Sequence, residues 1–317
     1  MNLGVSYIPE HLPHHIEDDL RAMADIGCNE VLFALQENTI NSVNGSLVHG
    51  ARLASEIGLK PQAVFWGFVN TFGGGRNSDF MLINPDVWRV NADGTRIPKA
   101  CLNNPKVIAE FQRLTKVSFE NGFKGIFVDE PEQPNCFCPL CKSEFRKYSD
   151  VELENAVGTP EYTAFQYRML GDYVRNVCDA VKEIDKSLKT ITCVLPDDQG
   201  AWDVVPSIES LDDFGTDPYW LLMGGQMSIE HAVSRAQLAK DISRQHGKES
   251  HVWLNCWAIP SGVEEEIYEG GKKLAEVGCD SFYTWSFMGG LGTTEVCADP
   301  AKAWDNLKRL YKELSGR

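Results

Sequence analysis

The sequence predicts a (β/α)8 barrel that takes up residues 1–317 as a single domain. Two observations lead to this prediction. Eight short apolar runs alternate with longer amphipathic ones from end to end, as in a barrel of strand–helix units. The first run continues into "SYIPEHLP" rather than the glycine-rich phosphate turn that the competing doubly wound sheet carries there.

Each strand is predicted from a short run rich in Val, Ile, Phe, Tyr or Trp. The eight runs cover residues 3–8, 29–35, 60–68, 124–130, 189–195, 213–219, 251–258 and 280–287. Helices are predicted where apolar residues recur every three to four positions, which gives one buried stripe. These segments cover residues 15–27, 104–122, 162–184, 229–247, 263–278 and 301–314.

Composition narrows the classes of partner and compartment. The formal charge of −15 argues against nucleic acid, which needs a basic face, and favours a neutral or cationic substrate. No apolar run approaches the roughly 20 residues of a membrane span. The first residues lack the pattern of a signal peptide. Ten cysteines in 317 residues are too few for a disulfide scaffold, so we expect a reducing compartment and a cytoplasmic protein.

Barrel enzymes place their active sites at the C-terminal ends of the strands. The candidate catalytic residues at these ends are Asp129, Glu130 and Asp217, and the candidate substrate-binding residues are Trp66, Tyr219, Trp220, Asn255, Trp257 and Trp285. Further residues at these ends are Tyr7, Glu10, Gln36, Glu37, Asp197 and Asp198. Carboxylates beside aromatic platforms, with no Lys or Arg at these positions, indicate a carbohydrate site rather than a phosphate site.

Two other segments carry weaker signals. The glycine-rich stretch 72–80 follows the third strand but lacks the strand–loop–helix context of a phosphate cradle, so we interpret it as a lid over the site. His11, His14 and His15 are interpreted as a solvated turn rather than a metal site.

The cysteine spacing predicts a zinc site. Cys136, Cys138 and Cys141 have ligand spacing, and zinc takes thiolates in tetrahedral sets of four. The best fourth candidate is Cys101, at the end of the long loop after the third strand. Four thiolates leave no open position for water or substrate. We therefore predict a structural zinc that joins the loops after strands three and four.

These residues carry a resemblance to a known family. "ACLNNP", a helix-length segment, a strand ending in an acidic pair and "CFCPLCKSEFRKY" together resemble the family 42 β-galactosidases of clan A, whose catalytic domain is a (β/α)8 barrel. The resemblance covers residues 101–146. It implies a structural zinc on the four cysteines, and it implies that Glu130 is the general acid/base.

Two departures limit what the resemblance implies. The family has Asn before its acid/base, whereas this chain has Asp129. The family's nucleophile is a Glu at the end of the seventh strand, where this chain has Asn255, Cys256 and Trp257. A glycosidase-like barrel is implied, but a galactosidase is not.

Glycoside hydrolysis needs a proton donor and usually a second carboxylate. Glu130 could act as acid/base with Asp217 as the second carboxylate. Asp129 could instead be the nucleophile and Asp217 the acid/base, an arrangement that resembles the α-galactosidase clan. Asp129 and Glu130 could also act as a couple, as in the family 20 hexosaminidases, with the substrate's acetamido group as nucleophile. A carbohydrate-binding barrel without activity and a zinc-dependent hydrolase are rival functions.

Overall fold

The computed structural model describes residues 1–8, 13–42, 44–71, 78–221, 227–291 and 293–316. Its strands are Asn2–Tyr7 (β1), Glu30–Leu35 (β2), Lys60–Phe65 (β3), Trp88–Val90 (β4), Arg96–Ala100 (β5), Gly125–Val128 (β6), Lys189–Val194 (β7), Asp213–Thr216 (β8), Glu249–Asn255 (β9) and Ser281–Trp285 (β10). All except β4 and β5 pair in parallel into a closed barrel, in which β10 pairs with β1. The predicted fold class is therefore confirmed, and each predicted strand overlaps a barrel strand.

Helices follow the barrel strands and surround the barrel. They are Pro13–Asp25 (α1), Glu37–Ser42 (α2), Asn44–Ile57 (α3), Asp79–Ile83 (α4), Pro105–Glu120 (α5), Pro139–Phe145 (α6), Pro160–Ile184 (α7), Gln199–Val204 (α8), Ile229–Gln245 (α9), Glu266–Ala275 (α10) and Pro300–Ser315 (α11). The long helices begin at clear signals. Asn104, Thr159 and Asp299 cap α5, α7 and α11, and a proline occupies the first turn of each.

Strand alternation divides the core into two parts. Along β9, Trp253 lies in the cluster that fills the barrel interior, whereas Val252 and Leu254 pack outward against the helices. The interior cluster also contains Phe127 of β6 and Cys193 of β7. Side chains two residues beyond these positions are therefore directed towards the barrel mouth.

The N-terminal end of the barrel interior holds a network of buried charges. Asp213 is fully buried, and its carboxylate accepts a hydrogen bond from Lys189 Nζ at 2.6 Å and lies 2.7 Å from His251 Nδ1. The Tyr283 hydroxyl donates to Glu30 at 2.9 Å. This end of a barrel serves stability rather than chemistry.

The structure differs from the sequence prediction in two respects. Strands β4 and β5 form an antiparallel hairpin within the long loop after β3, which the sequence did not indicate. Several barrel strands also end earlier than predicted; β6 ends at Val128 rather than residue 130, because the chain turns sharply there. Within the described part of the chain, no helix is both long enough and apolar enough to cross a membrane.

Candidate active site

Three carboxyl side chains converge at the C-terminal mouth of the barrel. Asp129 directly follows β6, two residues beyond the inward-facing Phe127. Asp217 directly follows β8 and is only 4% exposed. The carboxyl of Asp217 hydrogen-bonds to that of Glu130. The structure thus brings all three candidate catalytic residues together.

The backbone at Glu130 explains how two adjacent acids reach the same space. In a continuing strand, neighbouring side chains point to opposite faces. Glu130 has φ 37°, in the left-handed region that residues with a Cβ rarely adopt. This turn ends the strand and lets Glu130 join Asp129 at the mouth. Such backbone conformations cluster at functional sites.

Burial and mutual repulsion hold protons on this cluster. Burial, with the charge of Glu130 second, raises the pKa of Asp129 to about 8. Burial raises the pKa of Asp217 well above its ordinary value, and the charge of Glu130 and the hydrogen bond to it add to the shift. At neutral pH without a ligand, Asp129 is therefore mostly protonated, and the environment of Asp217 favours its protonated form. Carboxyls of raised pKa are suited to general acid catalysis.

Cys193 is a member of this site that sequence reasoning placed in the core. It is buried, as expected, but its thiol donates a hydrogen bond to Asp129 Oδ1 at 3.3 Å. Burial raises the pKa of Cys193 well above that of an ordinary thiol, so it stays protonated and acts as a donor. The signal that could have found it is the alternation of β7, in which Ile191 and Cys193 both face inward.

Aromatic rings occupy the opposite part of the mouth. The Trp285 ring centroid lies 5.4 Å from that of Trp66 and 6.1 Å from that of Trp253. Trp66 and Asp129 directly follow β3 and β6, which are neighbours in the barrel. Tyr219 and Trp257 form a second, edge-to-face pair with centroids 6.0 Å apart. Aromatic faces therefore lie close to the acids, as a sugar-binding site requires.

Trp220 does not reach the mouth. It belongs to the core cluster between the barrel and its helices, where it packs on α10. A Cβ at Gly270 would lie 2.5 Å from its indole ring, so the glycine makes room for it. The residue after Tyr219 points outward, and we leave Trp220 out of the site.

Asn255 lies at the end of β9, the seventh barrel strand, two residues beyond the inward-facing Trp253. Its side chain is 0% exposed, and neither Nδ2 nor Oδ1 has a hydrogen-bond partner among the described residues. An unpaired buried polar group costs about 1–3 kcal/mol. Such a group at the mouth of a barrel indicates that a ligand supplies the missing partners.

A cleft of about 250 Å³ opens beside Glu130. It is lined among others by Gln133, Asn135, Leu195 and Asp198, from the loops after β6 and β7. Glu130 is therefore also accessible from the rim of the barrel through this cleft, in which part of a ligand could bind.

Other acids at the strand ends have structural partners. Asp197 forms ion pairs with His231 and Arg235 of α9. Asp198 accepts a hydrogen bond from the backbone N–H of Ala201 and caps α8. Glu10, His11, residues 72–77 of the expected lid and the side chain of His14 lie outside the described residues.

Glu37 anchors the loop after β3. Its buried carboxylate accepts hydrogen bonds from the backbone N–H of Val69 at 3.2 Å, the hydroxyl of Ser78 at 2.6 Å and the backbone N–H of Phe80 at 3.0 Å. The carbonyl of Thr71 in the same loop accepts from the N–H of Glu132, two residues after Glu130. Glu37 is therefore part of the frame that positions the β6 loop.

The four cysteines come together as predicted. Their Sγ atoms all lie within 4.8 Å of one another, and Cys101 Sγ is 3.5 Å from those of both Cys138 and Cys141. Zinc–sulfur bonds of about 2.3 Å in a tetrahedron require Sγ atoms about 3.8 Å apart, so the cluster fits the ion. The Asn103 side chain donates to Cys141 Sγ at 3.3 Å, the kind of outer contact that orients thiolate ligands.

The same region joins the loops after β3 and β6. Cys101 directly follows β5, while Cys136 and Cys138 lie in the loop that begins with Glu130. The backbone N–H of Phe137 donates to Val90 of β4 at 2.7 Å. A metal bound here would fix the loop that carries Glu130.

No family model matches the chain, and no curated protein matches it. Several solved structures match it. The β-galactosidase of the Antarctic haloarchaeon Halorubrum lacusprofundi aligns with a TM-score of 0.77 and 18% identity, over 99% of this chain and 58% of its own. The β-galactosidase of the psychrophilic Marinomonas ef1 aligns with a TM-score of 0.76 and 12% identity, over 99% of this chain and 59% of its own.

The β-amylase catalytic domain of Paenibacillus polymyxa gives a TM-score of 0.67 and 11% identity, over 99% of this chain and 98% of that one. By contrast, this chain spans less than three fifths of the length of the two β-galactosidases. At these identities the likeness is one of fold: the chain is a closed (β/α)8 barrel with glycosidases among its structural neighbours.

Proposed function

We propose that this protein is a glycoside hydrolase in which Glu130 is the general acid. The observation that carries the proposal is the convergence of Asp129, Glu130 and Asp217 at the barrel mouth near Tyr219, whose pKa is raised by burial and by the charge of Asp217. A proton donor, usually with a second carboxylate, and a surface for a sugar ring are what glycosidic cleavage requires. The glycosidase neighbours support the same class of reaction.

Glu130 is the proton donor in two of the three schemes that the sequence leaves open, and its position supports that role. It faces both the acid cluster and the cleft lined by Gln133 and Leu195, where a leaving group could lie. Asp217 is the second carboxylate in the leading scheme. Asp217 lies close enough to Glu130 for the charge of Glu130 to raise its pKa, which suits two carboxyls that act on one glycosidic bond.

Asn255 excludes a nucleophile at the end of the seventh barrel strand. An amide cannot serve as the seventh-strand nucleophile, so the attacking group comes from Asp217, from Asp129, from water or from an acetamido group of the substrate. The lack of a carboxylate at this position also favours the second candidate function, a barrel that binds a carbohydrate without cleaving it. The unpartnered amide of Asn255 suits either, because both functions need a hydrogen bond to the sugar.

We propose that Cys101, Cys136, Cys138 and Cys141 hold a structural zinc ion. Four thiolates complete a tetrahedral set, so the ion would contribute cross-linking and no open coordination position. This argues against the rival reading as a zinc-dependent hydrolase. All ten cysteines are free and buried, which favours a reducing compartment, and we place the protein in the cytoplasm.

The test is a screen of 4-nitrophenyl glycosides of both anomers, including N-acetylhexosaminides. Wild type is compared with Asp129→Asn, Glu130→Gln and Asp217→Asn. We expect Glu130→Gln to lower kcat/KM on these activated substrates, and to lose the full general-acid contribution of about 10²–10⁴-fold on glycosides whose leaving group needs a proton. Full activity in Glu130→Gln would overturn the role of Glu130.

The same screen separates the schemes and the second function. Loss in both Glu130→Gln and Asp217→Asn supports the leading scheme, and activity confined to N-acetyl sugars supports the substrate-assisted one. Binding of a sugar without turnover of any glycoside supports the binding barrel. Asp197→Asn is the matched control, because Asp197 is a strand-end acid that already has ion-pair partners.

A further inference from the structure

Among the described residues, the acids at the mouth lack the cationic partners that two other buried acids of this barrel have. Asp213 contacts Lys189 and His251, and Glu264 contacts Lys302 at 2.9 Å. In the described residues, no Lys, Arg or His lies within ion-pair distance of Asp129, Glu130 or Asp217. Glu130 and Cys193 alone act on the pKa of Asp129 beside its burial.

Polar atoms in the same space have no partner among the described residues. These atoms are Asp217 Oδ1 and both side-chain atoms of Asn255, Oδ1 and Nδ2. Both side chains are more than nine-tenths buried, at the ends of β8 and β9. Buried polar atoms without partners are costly, so a ligand that donates to the carboxyl of Asp217 and to the carbonyl of Asn255 fits this mouth.

We propose that the sugar bound at this mouth carries a protonated amino group, which makes the substrate an amino-sugar glycoside; this rests on the proposed glycoside hydrolase function. An ammonium group has three donors and a positive charge. It can donate to the carboxyl groups of both Glu130 and Asp217. The faces of Trp257 and Tyr219 add the ring surface on which cations bind well. A sugar bearing a carboxylate or phosphate would be repelled.

Binding of an ammonium also has a thermodynamic signature. The pKa of Asp129, raised to about 8, means that this carboxyl is mostly protonated at pH 7 before the ligand arrives, and the pKa of Asp217 is raised as well. A positive charge beside them lowers those pKa values, so protons leave as the ligand binds. Calorimetry in buffers of different ionisation enthalpy measures the number released. A neutral sugar in the same site has no such effect.

The experiment measures calorimetric binding of D-glucosamine and D-galactosamine at pH 7, beside their N-acetyl forms, the parent hexoses and D-glucuronate. We expect the amino sugars to bind at least about tenfold more tightly than the other compounds, as one charge-assisted hydrogen bond provides, with proton release. The preference should disappear in Asp217→Asn and remain in the control Asp197→Asn. Circular dichroism and melting curves establish that each variant is folded.

The relative affinities of these ligands for the wild type test the proposal by themselves, so the result does not depend on whether the variants fold. Equal or weaker binding of the amino sugars, or tighter binding without proton release, would overturn it. Failure here is distinguishable from failure of the glycosidase function. If neutral glycosides are cleaved and amino sugars are not preferred, the hydrolase function is supported and the amino-sugar proposal is not. If amino sugars bind selectively but no glycoside is cleaved, only the amino-sugar recognition is supported.

Discussion

The charged network at the base of the barrel gives a quantitative prediction for Asp213→Asn. Asp213 is fully buried between Lys189 and His251, and these contacts lower its pKa from 3.8 to about 2 in spite of its burial. Replacing it with Asn removes the buried carboxylate beside His251 Nδ1 and one of the two carboxylates that Lys189 contacts, the other being that of Glu249. Removal of one partner from a buried ion pair costs about 3–5 kcal/mol, and we expect that loss in the free energy of unfolding at pH 7.

The pH dependence of the same carboxylate sets a second magnitude. A carboxyl whose pKa falls on folding stabilises the native state above its unfolded pKa, and the contribution is lost as pH falls through the folded value. A shift from 3.8 to about 2 is worth roughly 2 kcal/mol at 1.36 kcal/mol per unit. The wild type should lose this amount between about pH 5 and pH 2. Asp213→Asn should lack this component.

The assay is urea-induced unfolding followed by tryptophan fluorescence from pH 7 downward. The matched control is Asp305→Asn, which removes an exposed pair with Lys308 on α11. Exposed pairs are worth about 0–1 kcal/mol, so this variant should change little. A loss below 1 kcal/mol in Asp213→Asn at pH 7, or an equal gap to wild type at pH 7 and pH 2, would refute the reasoning.

Two further predictions concern the mouth and its support. Chelation, or Cys138→Ser, should lower the melting temperature, because the cysteine cluster joins the loops after β3 and β6; scanning calorimetry that shows no change on metal removal would contradict the structural-metal role. The pH profile of kcat/KM should have an inflection near pH 8 from Asp129 that is absent in Asp129→Asn. Cys193→Ala should move that inflection upward, since it removes a hydrogen bond that favours the carboxylate, while Cys193→Ser retains a donor. An unmoved inflection in Cys193→Ala would remove the thiol from this role.

The barrel could be predicted from sequence because its strands are buried on both faces. Runs such as 125–128 are apolar throughout, and a helix follows most of them. The cysteine site could be predicted because three of its ligands are local in sequence and thiolate spacing is specific. The acids could be placed at the mouth because the fold fixes which strand ends carry the site.

What the sequence could not provide depends on contacts between distant strands. The bond between Glu130 and Asp217 and the contact of Cys193 with Asp129 are set by the register of the closed barrel. Trp220 was counted with the mouth because it follows a strand end, but it alternates with the inward-facing Tyr219 and points towards the helices. The hairpin of β4 and β5 was missed because "WRVNADGTRIPKA" is mostly polar and its strands are short.

The leaving-group dependence of Glu130→Gln tests the central claim most directly. A 2,4-dinitrophenyl glycoside departs without protonation, whereas an alkyl glycoside needs a proton at the glycosidic oxygen, so only the second depends on a general acid. We expect Glu130→Gln to retain most of its rate with the activated substrate and to lose about 10²–10⁴-fold with the alkyl one. An equal loss with both substrates, or no loss with either, would contradict the role of Glu130 as the proton donor.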